Sequence, residues 1–187
     1  MPSLNNKSYI FGYGSLVSRD SIAHTLKRDP GKLYPATLKG WLRDWSIVLD
    51  NATTIRRFEL LPDRTVPKYV VALNIRKPNA DEKATNPSGV LFEVSDEDIK
   101  NMDERENHYI RTDVTEDVSM DVKGRIYAYV GLTKFETLDQ CKEAILPLSY
   151  LHLVEQGFNS MGDADNFRQT TIFPDVVSKD TLHTSTL

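Results

Sequence analysis

Two short stretches of the chain hold residue types that can do chemistry. The first is Phe11-Gly12-Tyr13-Gly14-Ser15-Leu16, directly after the apolar pair Tyr9-Ile10. Glycines two residues apart let a chain turn sharply and expose consecutive N–H groups. Such a turn can cradle an anion, or a developing oxyanion, without any special side chain. The second stretch is Met102-Asp103-Glu104-Arg105-Glu106-Asn107-His108-Tyr109, followed by Ile110-Arg111. A carboxylate there can point into a cavity while Arg105 or Arg111 tunes its charge. Each stretch also has a plainer reading when taken alone. The first is then an ordinary strand-to-helix turn, and the second a solvated helix end with minor ion pairs.

The turn departs by position from three better-known patterns. A dinucleotide fingerprint needs G-x-G-x-x-G, and Val17 stands where the third glycine belongs. A P-loop needs a Gly-Lys-Ser/Thr ending, which is absent. A nucleophile elbow needs G-x-S-x-G, but Gly14 precedes Ser15 directly and Val17 replaces the closing glycine. A serine hydrolase using Ser15 with His24 or His152 therefore lacks its elbow. The histidines His24, His108, His152 and His183 are not spaced for a shared helical metal site. Cys141 is the only cysteine, so an internal disulfide is impossible, and a cytoplasmic location is the default expectation. No cation-rich motif surrounds Cys141 to activate a catalytic thiol.

These residues need elements to position them. A chain of 187 residues, 40% hydrophobic and 27% charged, suits one soluble domain with a full core. The net charge of −4 argues against a nucleic-acid partner. No apolar run approaches the roughly 18 residues of a membrane span, and residues 1–7 lack the apolar core of a leader peptide. Strands are expected at 9–11, 69–75, 89–94, 109–118 and 125–130, with a strand pair or one long bent strand at 36–49. Ser18 is placed to cap a helix running to about Leu26. Ser95-Asp96-Glu97-Asp98 reads as a capping box opening a second helix, and Thr137-Leu138-Asp139-Gln140 as another. A further helix is expected at 149–156, stopped by Gly157. Residues 56–68, with Pro62 and Pro67, read as a loop, and the polar tail after Val177 as loose. Strands outnumber helices without regular alternation. This pattern favours an α+β fold with a mixed or closed sheet. One domain spanning 1–187 is expected, its core about 8–160.

The two stretches, taken in series, resemble the gamma-glutamylcyclotransferase superfamily, which includes the ChaC-type and gamma-glutamylamine enzymes. Its Tyr-Gly-Ser turn corresponds to Tyr13-Gly14-Ser15-Leu16, and its Leu-Asp-x-x-Glu-Gly segment to Met102-Asp103-Glu104-Arg105-Glu106-Asn107. A Gly-Trp/Tyr-x-Arg segment appears as Gly40-Trp41-Leu42-Arg43, and a late tyrosine with apolar helix and glycine as Tyr150 to Gly157. Residues 8–160 carry these motifs in the family order. The resemblance implies a small mixed or closed, barrel-like sheet flanked by helices. It places the catalytic glutamate on Glu106, with Glu104 the alternative if the helix is offset. Asn107 replaces the usual glycine and tolerates a left-handed conformation better than most residues.

The implied reaction needs no cofactor, no metal and no protein nucleophile. The substrate's α-amine attacks its own γ-carbonyl, releasing 5-oxoproline and a free amine or amino acid. Tyr13, Gly14, Ser15 and Leu16 would offer N–H donors to the glutamyl group, and Glu106 would move the protons. Tyr150, and one of Tyr127 or Tyr129, would line the pocket or serve as hydroxyl donors, with packing the other reading of all three. Arg43 and Arg111 are expected to pair structurally with carboxylates. The expected partner is a small γ-glutamyl compound, with neither nucleic acid nor membrane. The other reading is a non-catalytic binding module that keeps the cavity. The leaving group (amino acid, amine or the remainder of glutathione) would be chosen by loops such as 51–67 and 77–87.

Overall fold

The computed structural model describes residues 7–54, 56–132 and 143–185. The expected capping box at 137–140 and Cys141 lie outside the described residues. The first elements are β1 (Lys7–Gly12), α1 (Arg19–Leu26), β2 (Tyr34–Thr37), β3 (Leu42–Asp50), β4 (Arg56–Leu60), β5 (Tyr69–Arg76) and β6 (Ser88–Val94). Then come α2 (Asp96–Arg105), β7 (Tyr109–Asp113), β8 (Gly124–Gly131), β9 (Leu146–Pro147), α3 (Leu148–Ser160) and α4 (Ala164–Gln169). Three short strands follow: β10 (Thr171–Ile172), β11 (Ser178–Lys179) and β12 (Thr181–Ser185).

Five strands form a mixed sheet in the order β2-β6-β1-β8-β7. β1 lies at its centre, antiparallel to β6 and parallel to β8. Central strands are buried on both faces, which is why β1 and β6 read as continuous apolar runs. Ile10, Phe11, Leu91 and Phe92 are accordingly buried. A second sheet, β10-β3-β5, supplies Trp45, Val71, Leu73 and Ile75 to the same core. The larger sheet ends at β2 and β7, so the expected α+β fold takes its mixed, open form and not that of a closed barrel. Among the described residues, no helix is long and apolar enough to cross a membrane.

Local signals predict their elements well. Ser18 caps α1 by accepting from the Ser21 N–H at 3.5 Å. Ser95 and Asp98 form the expected capping box, each side chain accepting from the other's backbone N–H. The stretch 36–49 resolves into β2 and a bulged β3, whose register against β5 shifts between Asp44 and Ile47.

Four expectations need correction. The loop expected at 56–68 begins with β4, and the tail expected to be loose contains β12, because these strands pair with each other in antiparallel register from Thr181↔Leu60 to Ser185↔Arg56. Each supplies the ladder the other lacks. The strand expected at 109–118 stops at Asp113, whose Oδ1 accepts from both the N–H and the hydroxyl of Thr115 and starts a 3-10 turn. Gly157 does not end its helix, because α3 runs through to Ser160. A Cβ at Gly157 would stand 2.6 Å from Val17 Cγ2, so this glycine serves close packing of α3 against the turn.

Candidate functional site

The glycine turn leaves the end of β1 and folds back within four residues. A Cβ on Gly12 would lie 2.1 Å from the Leu16 carbonyl oxygen, so no larger residue can stand there without moving the backbone. Ser15–Val17 form one 3-10 turn, closed by Val17 N–H to the Gly14 carbonyl at 3.1 Å and Ser18 N–H to the Ser15 carbonyl at 3.2 Å. α1 then starts from Ser18. At Gly14 a Cβ would meet Tyr150 Oη at 3.4 Å and Leu73 Cδ1 at 3.5 Å. The tyrosine on α3 thus reaches the turn through a side chain that glycine leaves room for.

Tyr13 is buried, and its hydroxyl donates to the Tyr129 carbonyl at 2.6 Å. Burial pushes its phenol far up, and the neighbouring Tyr109, Glu106, Tyr150 and Asp44 push it further, so Tyr13 stays a neutral donor. Its carbonyl accepts from Arg43 Nη1 at 3.2 Å. Arg43 is fully buried, with its guanidinium near the rings of Phe158 and Phe167 at 4.8 and 4.6 Å. It also donates to the carbonyls of Ser88 and Phe167 and to the hydroxyls of Thr170 and Thr171. Burial pulls the Arg43 guanidinium down to about 9, which leaves it cationic at neutral pH. The expected carboxylate pairing is therefore wrong for Arg43: its hydrogen bonds go to neutral oxygens around the turn.

The carboxylate stretch closes on the same place. Arg105 is the last residue of α2, and Glu106, with φ −96° and ψ 42°, leaves the helix. Arg105 Nη2 donates to Ser15 Oγ at 2.9 Å, and its Nε stands 3.0 Å from Glu106 Oε1. That last contact is charge pairing without the alignment of a hydrogen bond. The Glu106 side chain is only 16% exposed. Among the described residues it accepts no side-chain hydrogen bond. Asn107 does not adopt a positive φ, so the turn here forms without a left-handed residue at this position.

Tyr13, Gly14, Ser15, Leu16, Glu106 and Tyr150 are thus gathered by the turn itself, by Arg105 and by the Tyr150 hydroxyl. Glu104, the alternative, is exposed. Tyr129 is buried, donates to Asp103 Oδ1 at 2.7 Å, and has its phenol raised by burial and then by Asp103. Arg111 holds the other oxygen of Asp103 at 3.0 Å and stacks over Tyr127. Both tyrosines accordingly pack, and Arg111 pairs with a carboxylate as expected. Two surface cavities, of about 420 and 240 Å³, are lined by other residues. Among the described residues no group of three His, Cys, Asp or Glu is arranged to hold a metal ion. The contribution missed in the sequence is that of Arg43, whose motif Gly40-Trp41-Leu42-Arg43 was its only local signal.

No family model matches the sequence, and no curated protein does. Solved structures do match. A gamma-glutamyl cyclotransferase, 13% identical, aligns over 93% of this chain and 93% of its own with a TM-score of 0.59. This chain has the gamma-glutamyl cyclotransferase fold. A yeast gamma-glutamyl cyclotransferase specific to glutathione is 13% identical over 89% of this chain and 98% of its own, with a TM-score of 0.51. A second structure described in the same terms is 14% identical over 88% and 96%, again with a TM-score of 0.51. At such identities the likeness establishes the cyclotransferase fold, and the chemistry has to be argued from this chain's own residues.

Proposed function

We propose that the protein is a γ-glutamyl cyclotransferase, a soluble cytoplasmic enzyme that releases 5-oxoproline and a free amine or amino acid from a small γ-glutamyl compound. The observation that carries this reading is the state of Glu106. A mostly buried carboxylate beside a glycine turn meets one misaligned cation and accepts no side-chain hydrogen bond among the described residues. With 16% of its side chain exposed, the carboxylate keeps acceptor capacity that a substrate ammonium can take over from water.

The chemistry balances without an added reactant. The α-nitrogen forms a bond to the γ-carbon, and the bond from that carbon to the leaving nitrogen breaks. The α-ammonium sheds one proton to become nucleophilic and a second as the ring closes. Both protons go to the leaving nitrogen through Glu106, acting first as base and then as acid. The nucleophile is already tethered, so holding the substrate in its folded pose supplies much of the rate. N–H groups at Tyr13, Gly14, Ser15 and Leu16 would face the oxygen that gains charge. Tyr150 offers a hydroxyl beside Gly14.

The test is to incubate the protein with γ-glutamyl dipeptides, γ-glutamyl amines and glutathione and to assay 5-oxoproline. Its release from at least one is expected. Free glutamate in its place would mean hydrolysis, and no product from any would leave a binding module.

A further inference from the structure

We infer that Arg105 is the positioning residue of this site, setting the direction of the Glu106 carboxylate and its distance from the turn; the inference rests on the cyclotransferase reading. Arg105 Nη1 donates to the Ser21 carbonyl at 3.3 Å and to Thr25 Oγ1 at 2.5 Å. Its Nη2 donates to Ser15 Oγ at 2.9 Å and to Ser21 Oγ at 3.1 Å. Four acceptors on the turn and α1 therefore take the four N–H groups of the guanidinium fork. The plane cannot rotate without breaking them. Only the Nε edge faces Glu106, 3.0 Å from Oε1.

This geometry decides how the carboxylate is held. A guanidinium free to turn binds a carboxylate through two parallel hydrogen bonds. Such a fork would engage a lone pair on each oxygen of Glu106 and weaken it as a base toward the substrate. Here the fork is committed to Ser15, Ser21 and Thr25. Glu106 gains an adjacent cation at one oxygen and keeps Oε2 for the substrate's ammonium group. The same side chain grips Ser15, so base and cradle are measured from one rigid plane. A lysine cannot replace it, because an ammonium presents its donors from a single point.

The experiment begins with the wild-type protein and the γ-glutamyl panel. Wild-type turnover is the condition of the proposed function, and its absence overturns that reading and this one together. With turnover in hand, R105K and R105Q are expected to lose about 10²-fold in kcat through misplacement of the base, with little change in KM. Added methylguanidinium is expected to restore part of the kcat of R105G. S21A/T25A leaves Arg105, Glu106 and Ser15 intact but removes two of the fork's four acceptors, Thr25 Oγ1 and Ser21 Oγ, so the plane is held less firmly, and kcat is expected to fall while KM holds. Circular-dichroism melting of each variant gives the folded fraction. Wild-type kcat per folded molecule in R105K, R105Q and S21A/T25A would overturn the inference while leaving the proposed function standing.

Discussion

Arg43 and Arg105 reach the same turn from different elements, β3 and α2, and what surrounds them differs. Arg43 is fully buried, stacks against two phenylalanines, and gives its hydrogen bonds to carbonyls and hydroxyls. Among the described residues it gives no hydrogen bond to a carboxylate. Arg105 keeps 10% of its side chain exposed and spends its last edge on a carboxylate that retains spare acceptor capacity. The first side of the turn is saturated and the second is not. Saturation buys rigidity; an unfilled acceptor leaves room for substrate. The comparison teaches that residue type alone does not say which arginine serves the chemistry. The state of its partners does.

That division can be broken experimentally. On the unsaturated side, E106Q is expected to remove about 10²–10⁴-fold of turnover while the melting temperature stays near that of wild type. The 5-oxoproline assay and a melting curve check both halves, and near-normal turnover would exclude Glu106 as the base. On the saturated side, R43M is expected to lose stability first, by about 3 kcal/mol or more, because several buried acceptors lose their donor together. Urea unfolding measures this. An R43M protein of wild-type stability but without activity would dissolve the distinction.

Smaller effects sharpen it. Alanine in place of a mid-helix glycine ordinarily gains roughly 0.5–1 kcal/mol. At Gly157 the opposite sign is expected, a loss of about 1–3 kcal/mol from overpacking, since the added carbon would meet Val17 Cγ2. A stabilised G157A would show that α3 does not brace the turn. S95A should cost about 1 kcal/mol through the lost cap of α2 and leave kcat unchanged, which calorimetry and the activity assay together would check.

The last effect is on pH dependence. Burial pushes Asp98 up, but hydrogen bonds from Arg28 and Ser95 outweigh it and hold the carboxyl below its ordinary 3.8. A depressed folded value means the contribution is present above about 3.8 and lost as pH falls through and below it. The urea midpoint should fall more steeply between about pH 5 and pH 2 in the wild type than in D98N. Parallel curves would remove Asp98 from the acid response.

What the sequence made legible follows the range of the interactions. The turn, the Ser18 cap and the Ser95–Asp98 box are each written within a few neighbouring residues, and all three are visible there. The resemblance brought Tyr13–Leu16, Glu106 and Tyr150 into one frame. What stayed hidden depends on distant partners. β4 has an unremarkable charged sequence and becomes a strand only against β12. Gly157 carries the usual mark of a helix stop, and its packing against Val17 has no local signal. Arg43 sits in a recognisable motif, yet its acceptors on Thr170 and Thr171 lie far along the chain.

The β4–β12 pairing also imposes an order on folding. Phe58 of β4 packs against the Tyr150 ring and against His183 of β12. The bond from the Thr184 hydroxyl to the Arg57 carbonyl joins residues 127 positions apart. During synthesis β4 must wait, unpaired, until β12 has been made. The glycine turn, β6 and α2 are complete well before that. Closing so long a loop costs entropy that its contacts repay only at the end. A nascent chain can therefore assemble the turn and Glu106 while the ring that supports Tyr150 still lacks its outer strand.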